Sequence, residues 1–244
     1  MLSSPRSSDA LELRIETMRW VAEDVITVEL VSLDATMLPA WTPGAHVDLE
    51  LPSGMQHRFA LCGAPGGVGS YRIMVDRNDG PVARELHDTA LIGRTLRAHE
   101  VANQFPMRPA LSYVFVADGL GVAPILAMAA RASEQRVPWR LVYAGRTLSA
   151  MPFIDELRSL ECGRLELVPE DELGRPDLGS VLARVPDGAE VYASGPARLV
   201  DAVTLAGRLC AADRVHVRCS DREPEPAVDP RPGRALGQHA PSGT

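Results

Sequence analysis

Hydrophobic and polar residues alternate along the first hundred positions of the chain. Leucine and isoleucine alternate with charged residues over 11–16, and the same period recurs over 26–30 and 46–51. A period of two is typical of half-buried antiparallel strands. Turn signals such as Thr42-Pro-Gly44 and Asn78-Asp-Gly-Pro81 separate these segments. About six short strands predict a small antiparallel barrel, with one short helix over 82–90 near its rim.

The pattern changes after Pro106, where apolar segments begin to alternate with amphipathic ones. The apolar segments predict strands over 112–117, 139–144, 164–169, 189–193 and 214–218. The amphipathic segments predict helices over 124–135, 153–160, 177–184 and 197–210, and the acidic run 170–172 is expected to be a solvated loop. This alternation predicts a parallel, doubly wound sheet. The chain is therefore interpreted as a barrel domain over 10–104, an α/β domain over 110–219 and a disordered tail over 220–244.

Composition limits the functions that this chain can have. Its 244 residues carry a net charge of −7, which argues against bulk binding to nucleic acid or to anionic membranes. No apolar run is long enough to cross a bilayer, and residues 1–9 lack the apolar centre of a signal peptide. The expected compartment is therefore the cytoplasm. The cysteines, which are Cys62, Cys162, Cys210 and Cys219, form no C-x-x-C pair and no iron–sulfur loop, so they are interpreted as buried or idle thiols.

Two glycine-containing turns end apolar strands of the α/β half. The first, Asp118-Gly-Leu-Gly121, leads into a helix opened by Pro124. The second is Ser194-Gly-Pro196. A turn of this kind leaves backbone N–H groups free at a helix N-terminus, where a phosphate or dinucleotide is favoured. The full G-x-G-x-x-G is absent, so a plain strand-to-helix turn is the alternative, but two such turns together indicate one crevice.

Five short motifs, in order, resemble those of the ferredoxin–NADP reductase superfamily, and most closely its phthalate dioxygenase reductase and vanillate O-demethylase reductase group. The resemblance runs from about residue 11 to residue 217. His57-Arg-Phe-Ala-Leu61 takes the place of the family's R-x-Y-S-L, after a similar Thr42-Pro-Gly-Ala-His46 segment. The remaining motifs are Gly80-Pro-Val-Ala-Arg84, Ala117-Asp-Gly-Leu-Gly-Val-Ala-Pro124, Tyr143-Ala-Gly-Arg-Thr147 and Ser194-Gly-Pro196.

The resemblance implies a flavin-binding set in the barrel. Arg58 would grip the flavin phosphate through parallel hydrogen bonds, and Phe59 would lie against the isoalloxazine. The remaining members are Ala60, Leu61, Val75, Gly80, Val82 and Ala83. From the residues alone, a charge at a strand edge is favoured over a phosphate ligand for Arg58, and an ordinary core residue is the alternative for Phe59.

The resemblance also implies a set that binds the nicotinamide nucleotide. Its members are Gly119, Gly121, Ala123, Pro124, Arg146, Ser194, Gly195 and Pro196. For Arg146 a solvated charge at a strand end is an equal alternative. The site is expected in the cleft between barrel and sheet.

Several positions depart from the family's pattern. Phe59 stands for a tyrosine, Ala60 and Ala83 for serines, Ala123 for a threonine and Ser194 for a cysteine. Asp118 stands for a glycine and puts a carboxylate beside the expected pyrophosphate, where like charges repel. The end of the last strand, 217–220, lacks the family's aromatic residue. Each lost polar group could weaken a cofactor by about 1 kcal/mol, so the site either relies on backbone contacts or has decayed.

The function implied by the resemblance is electron transfer from NADH, through FMN, to a separate ferredoxin or oxygenase/demethylase component. FMN is favoured over FAD, and NADH over NADPH, only because the resemblance is to that branch. The family's [2Fe–2S] domain is not found around 220–244, so no iron–sulfur cluster is expected in this chain. The alternative is a degenerate, non-catalytic subunit that keeps the fold as a binding or structural module.

Overall fold

The N-terminal half of the chain folds into one antiparallel sheet. In the computed structural model, the described residues are 10–34, 37–64, 69–210 and 212–220. The predicted disorder of 1–9 and of the segment from 221 onward lies outside these residues. The elements of this half are β1 (Leu11–Ala22), β2 (Val25–Ser32), β3 (Ala45–Glu50), β4 (Gln56–Ala60), β5 (Ser70–Asp76), α1 (Gly80–Asp88) and β6 (Thr95–Asn103).

The sheet closes into the expected barrel. Its strands follow the order β4-β3-β6-β1-β2-β5, and an antiparallel bridge between Leu61 and Ile73 joins the two ends. The apolar residues of the alternating pattern face the barrel interior. Leu13, Ile15 and the corresponding residues of the other strands are buried there. The strand β1 is longer than the sequence pattern indicates, and it carries register shifts at Ile15/Thr17 and Trp20/Ala22. Such irregularities bend a strand and help it to curve around a barrel.

The C-terminal half contains a parallel sheet covered by helices. Its elements are β7 (Ser112–Asp118), α2 (Val122–Glu134), β8 (Trp139–Gly145), α3 (Ile154–Arg158), β9 (Gly163–Pro169), α4 (Glu170–Leu173), α5 (Leu178–Ala183), β10 (Ala189–Gly195), α6 (Ala197–Cys210) and β11 (Val215–Cys219). The strand order is β11-β10-β7-β8-β9, with parallel neighbours throughout. Separate apolar clusters form on the two faces of the sheet, one around α2 and α3 and the other around α5 and α6. This is the predicted doubly wound architecture.

Two local expectations in this half need correction. The acidic run over 170–172 is not a loop but the start of α4, where carboxylates in the first turn are favoured by the helix dipole. The helix predicted over 153–160 covers only Ile154–Arg158. It begins after Phe153, because Phe153 takes a left-handed conformation with a φ of 65°. Among the described residues, no helix has the length and apolar character needed to cross a membrane.

Polar contacts hold the barrel against the parallel sheet. Arg72 of β5 donates hydrogen bonds of 2.6 and 3.2 Å to the carboxylate of Glu156 in α3, and its guanidinium lies 5.3 Å from the centre of the Phe153 ring. The backbone N–H of Glu23 donates to the carbonyl of Ser149 at 2.9 Å. These contacts fix the cleft between the two halves.

Candidate active site

A cavity of about 410 Å³ occupies the cleft between the barrel and the parallel sheet. Its walls come from β4, the turn before α1, the β7–α2 turn, the end of β10 and the end of β11. The sequence-predicted residues that line it are Arg58, Phe59, Ala60, Gly80, Ala123, Pro124 and Ser194. The fold therefore brings residues of the barrel set and residues of the nucleotide set to one space.

The other predicted residues lie outside the lining. Four of them are buried in the barrel core: Leu61, Val75, and Val82 and Ala83 of α1. Gly119, Gly121, Gly195 and Pro196 belong to the two glycine turns, and Arg146 is exposed at the end of β8. Their roles in binding stay predictions.

The sequence reasoning missed several side chains in the lining, of which His57, Gln104, Phe105 and Arg218 matter most. His57 is adjacent to the motif residue Arg58, and in a strand alternate side chains share a face. The ring of His57 lies 4.6 Å from that of Phe59, so these two share one face of β4 while Arg58 points to the other. The alternation rule could have found His57 from the sequence. Gln104, Phe105 and Arg218 carried no such local signal.

Arg58 is held by a partner on the neighbouring strand. Its Nε and Nη2 atoms donate to the two carboxylate oxygens of Asp48 at 2.6 and 2.7 Å, and its Nη1 donates to Gln104 at 3.2 Å. Arg58 and Asp48 are direct partners in the β3–β4 register. The hydrogen bond to Asp48 raises the pKa of Arg58. The guanidinium is therefore fixed in the cavity wall, with N–H groups left over for a ligand.

The N-terminus of α1 opens towards the barrel end of the cavity. The helix begins at Gly80, whose φ is +83°, and Pro81 follows in the first turn. Among the described residues, no side-chain hydrogen bond caps this end, so backbone N–H groups of the first turn are available to an anion. The Nε2 atom of His57 lies 3.8 Å from a carboxylate oxygen of Asp79, the residue that precedes the helix.

The glycine turn after β7 packs closely on the end of β10. A Cβ atom added to Gly121 would lie 1.9 Å from the carbonyl oxygen of Ser194, so only glycine allows this approach. Gly119 has a φ of +54° but faces open space. Ser194 is 2% exposed and sits where the turn meets the cavity.

Asp118, the residue that departs most from the family pattern, is paired. Its carboxylate accepts a hydrogen bond of 2.7 Å from Arg198 at the start of α6, and Arg198 also donates to Glu170 at 3.3 Å. Burial nonetheless raises the pKa of Asp118, because desolvation outweighs the attraction of Arg198. The negative charge expected beside a nucleotide is therefore compensated by a residue 80 positions away, which the sequence pattern did not show.

Known proteins are similar to this chain in sequence and fold. No family model matches the chain. The putative toluene-4-sulfonate monooxygenase system reductase subunit TsaB2 of Comamonas testosteroni is 33% identical over 232 residues, which cover 93% of this chain and 73% of that protein. The solved structure of phthalate dioxygenase reductase, at 27% identity, superposes with a TM-score of 0.76 over 86% of this chain and 68% of its own. An intact type IV self-sufficient cytochrome P450 monooxygenase, at 31% identity, gives a TM-score of 0.80 over 86% of this chain but only 28% of its own.

The barrel, the parallel sheet and the cavity between them define an oxidoreductase of the flavin-dependent, electron-transfer class. The chain belongs to the family of oxygenase-system reductases that includes phthalate dioxygenase reductase, within the ferredoxin–NADP reductase superfamily. The resemblance stated from the five motifs is thereby confirmed.

Proposed function

We propose that this chain takes electrons from NADH through FMN and passes them to a separate ferredoxin or oxygenase/demethylase component. The observation that carries the proposal is the single cavity shared by Arg58 and Phe59 of β4, the N-terminus of α1 and the β7–α2 turn. In this proposal residues 10–104 bind the flavin and residues 110–219 bind the nucleotide.

The residues present fit a flavin. A volume of about 410 Å³ falls within the usual range for a cofactor pocket. Phe59 and Ala60 supply an apolar wall, while Arg58 and the first turn of α1 supply donors for a phosphate. When bound, the flavin supplies the chemistry of accepting a hydride and releasing electrons singly. The protein's part is to fix the ring and to exclude competing reactions.

The end of the cavity next to the β7–α2 turn also fits a nicotinamide nucleotide. Gly121 lets the β7–α2 turn approach Ser194, and Ala123 and Pro124 are small enough to leave space beside it. Because Arg198 compensates Asp118, the carboxylate need not repel a pyrophosphate. This pairing favours a working site over a decayed one.

The names of the relatives support the choice of electron acceptor in this proposal. TsaB2 is named as the reductase subunit of a monooxygenase system, and phthalate dioxygenase reductase is described as transferring electrons from pyridine nucleotides to [2Fe–2S]. For this chain we propose an acceptor on a separate protein, no iron–sulfur cluster of its own, and FMN and NADH ahead of FAD and NADPH.

In the test, the purified chain is titrated with FMN, FAD and riboflavin, and binding is measured by flavin fluorescence. Flavin absorbance bands that shift on binding, and bleaching by NADH in the absence of oxygen, are the expected results. Iron analysis should find no stoichiometric iron. A protein that takes up neither FMN nor FAD at large excess would refute the enzyme and favour the non-catalytic binding module. Faster bleaching by NADPH than by NADH would reverse the nucleotide preference only.

A further inference from the structure

Two guanidinium groups line the cavity, but only one of them has a carboxylate. Arg58 engages both oxygens of Asp48. Arg218, in β11, donates one hydrogen bond of 3.1 Å to the carbonyl of Gly44. Within the part of the chain that the structure describes, Arg218 has no ion pair with an acidic side chain. Besides Asp48, Glu100 also acts on Arg58, and Asp79 lines the cavity near His57, so the guanidinium without a direct acidic partner is that of Arg218.

The groups around Arg218 act on its charge in opposite directions. Burial and the nearby Arg58 lower the pKa of Arg218, although Asp48 acts in the opposite direction. His46 is fully buried close by, and neither of its ring nitrogens has a hydrogen-bond partner among the described residues. Burial and the two arginines lower the pKa of His46 to about 4, so this imidazole is neutral and adds no further positive charge. A half-buried cation without a counter-ion gains when an anion arrives.

The position of Arg218 indicates which anion this is. Arg218 pairs with Ser194 in the β10–β11 register, and both residues line the cavity together with Ala60 and Ala123. The first turn of α1, where a phosphate is favoured, belongs to a different wall. Under the proposed function, the flavin ring and the nicotinamide meet between β4 and the end of β10. A hydride brings one proton and two electrons to the ring, and the ring therefore becomes negative unless a second proton follows.

We infer that Arg218 supplies the counter-charge for the flavin ring in its reduced, anionic form, so that the protein binds reduced flavin more tightly than oxidised flavin. This inference rests on the proposed function. It makes Arg218 a residue that sets the redox potential of the cofactor, a property distinct from retention of the cofactor.

The experiment compares the wild type with Arg218→Gln, Arg218→Lys and the control Arg94→Gln, which removes an exposed charge of the barrel. The midpoint potential of bound FMN is measured at pH 7 by dye equilibration without oxygen, and oxidised FMN and riboflavin are titrated by fluorescence. We expect Arg218→Gln to reduce the ratio of reduced-flavin affinity to oxidised-flavin affinity about tenfold. The midpoint potential should therefore fall by about 30 mV for a two-electron couple. The dissociation constant of oxidised FMN should change far less. Arg218→Lys should restore most of the potential, and Arg94→Gln should leave it unchanged.

Three outcomes would overturn the inference. If Arg218→Gln binds FMN with an unchanged potential, Arg218 does not face the reduced ring. If the variant weakens oxidised FMN but not riboflavin, its charge serves the phosphate. If Arg94→Gln shifts the potential equally, the effect is one of overall charge. A wild type that binds no flavin would instead refute the proposed function itself, so the two failures are distinguishable.

Discussion

Arg198 donates a hydrogen bond of 2.7 Å to the carboxylate of Asp118, which joins the end of β7 to the start of α6. Asp118 precedes the first glycine turn and Arg198 follows the second, but both lie at the edge of the parallel sheet where the strands end. This pairing matters for the site, because the charge of Arg198 offsets the repulsion between the Asp118 carboxylate and a nucleotide phosphate.

The first prediction concerns this pair. Because burial raises the pKa of Asp118, the folded protein holds its proton more tightly than the unfolded chain does, and ionisation at neutral pH costs stability. We therefore expect Asp118→Asn to raise the free energy of unfolding by about 1 kcal/mol or less, whereas Arg198→Gln should lower it by about 1–3 kcal/mol because the carboxylate loses its partner. Urea unfolding at pH 7 measures both. Equal and opposite effects on NADH binding without a change in stability would contradict this interpretation.

The second prediction concerns His46 and pH. Burial, Arg58 and Arg218 lower its pKa to about 4, while Asp48 opposes them; the unfolded value is 6.5. Below 6.5 the unfolded chain takes up the proton first, so stability is lost as the pH falls from 6.5 towards 4. A shift of this size corresponds to roughly 3 kcal/mol between pH 7 and pH 4. Unfolding curves of the wild type and His46→Gln across this range should differ by that slope. A variant that keeps the full pH dependence would exclude His46 as its source.

The third prediction uses two glycines of one turn. Gly121→Ala forces a Cβ against the Ser194 carbonyl, so we expect a loss of more than about 2 kcal/mol and weaker nucleotide binding. Gly119→Ala meets open space and should cost only about 1–2 kcal/mol, the penalty of its left-handed backbone. Thermal unfolding and NADH titration would rank the two variants. The reverse order would show that the close approach of the turn to β10 is absent in solution.

The fourth prediction separates Arg58 from its neighbour His57. Arg58→Ala should weaken FMN by about 1.5–3 kcal/mol if its remaining N–H groups hold the phosphate, and riboflavin should be little affected. His57→Ala removes the side chain beside Asp79 and the N-terminus of α1, and it serves as the comparison on the other face of β4. Fluorescence titration with both flavins gives the answer. If only His57→Ala loses the distinction between FMN and riboflavin, Arg58 is a structural partner of Asp48.

The sequence by itself determined the architecture and the position of the two glycine turns. Residues such as Leu13 and Ile15 alternate with charges, and this local period follows from the geometry of a strand with one buried face. The run before Asp118 is apolar on both faces, because a central parallel strand is covered by helices on both sides. Local patterns of this kind need no knowledge of which segments meet.

Only the tertiary structure decided which charges meet. Arg58 pairs with Asp48 because the two residues are register partners on the neighbouring strands β3 and β4. Arg218 lines the same cavity although it belongs to β11 of the other sheet. Arg198 reaches Asp118 because parallel strands present their carboxyl ends at one edge. The physical reason is that electrostatic attraction depends on distance and burial, which the order of strands sets and the spacing of residues in the sequence does not.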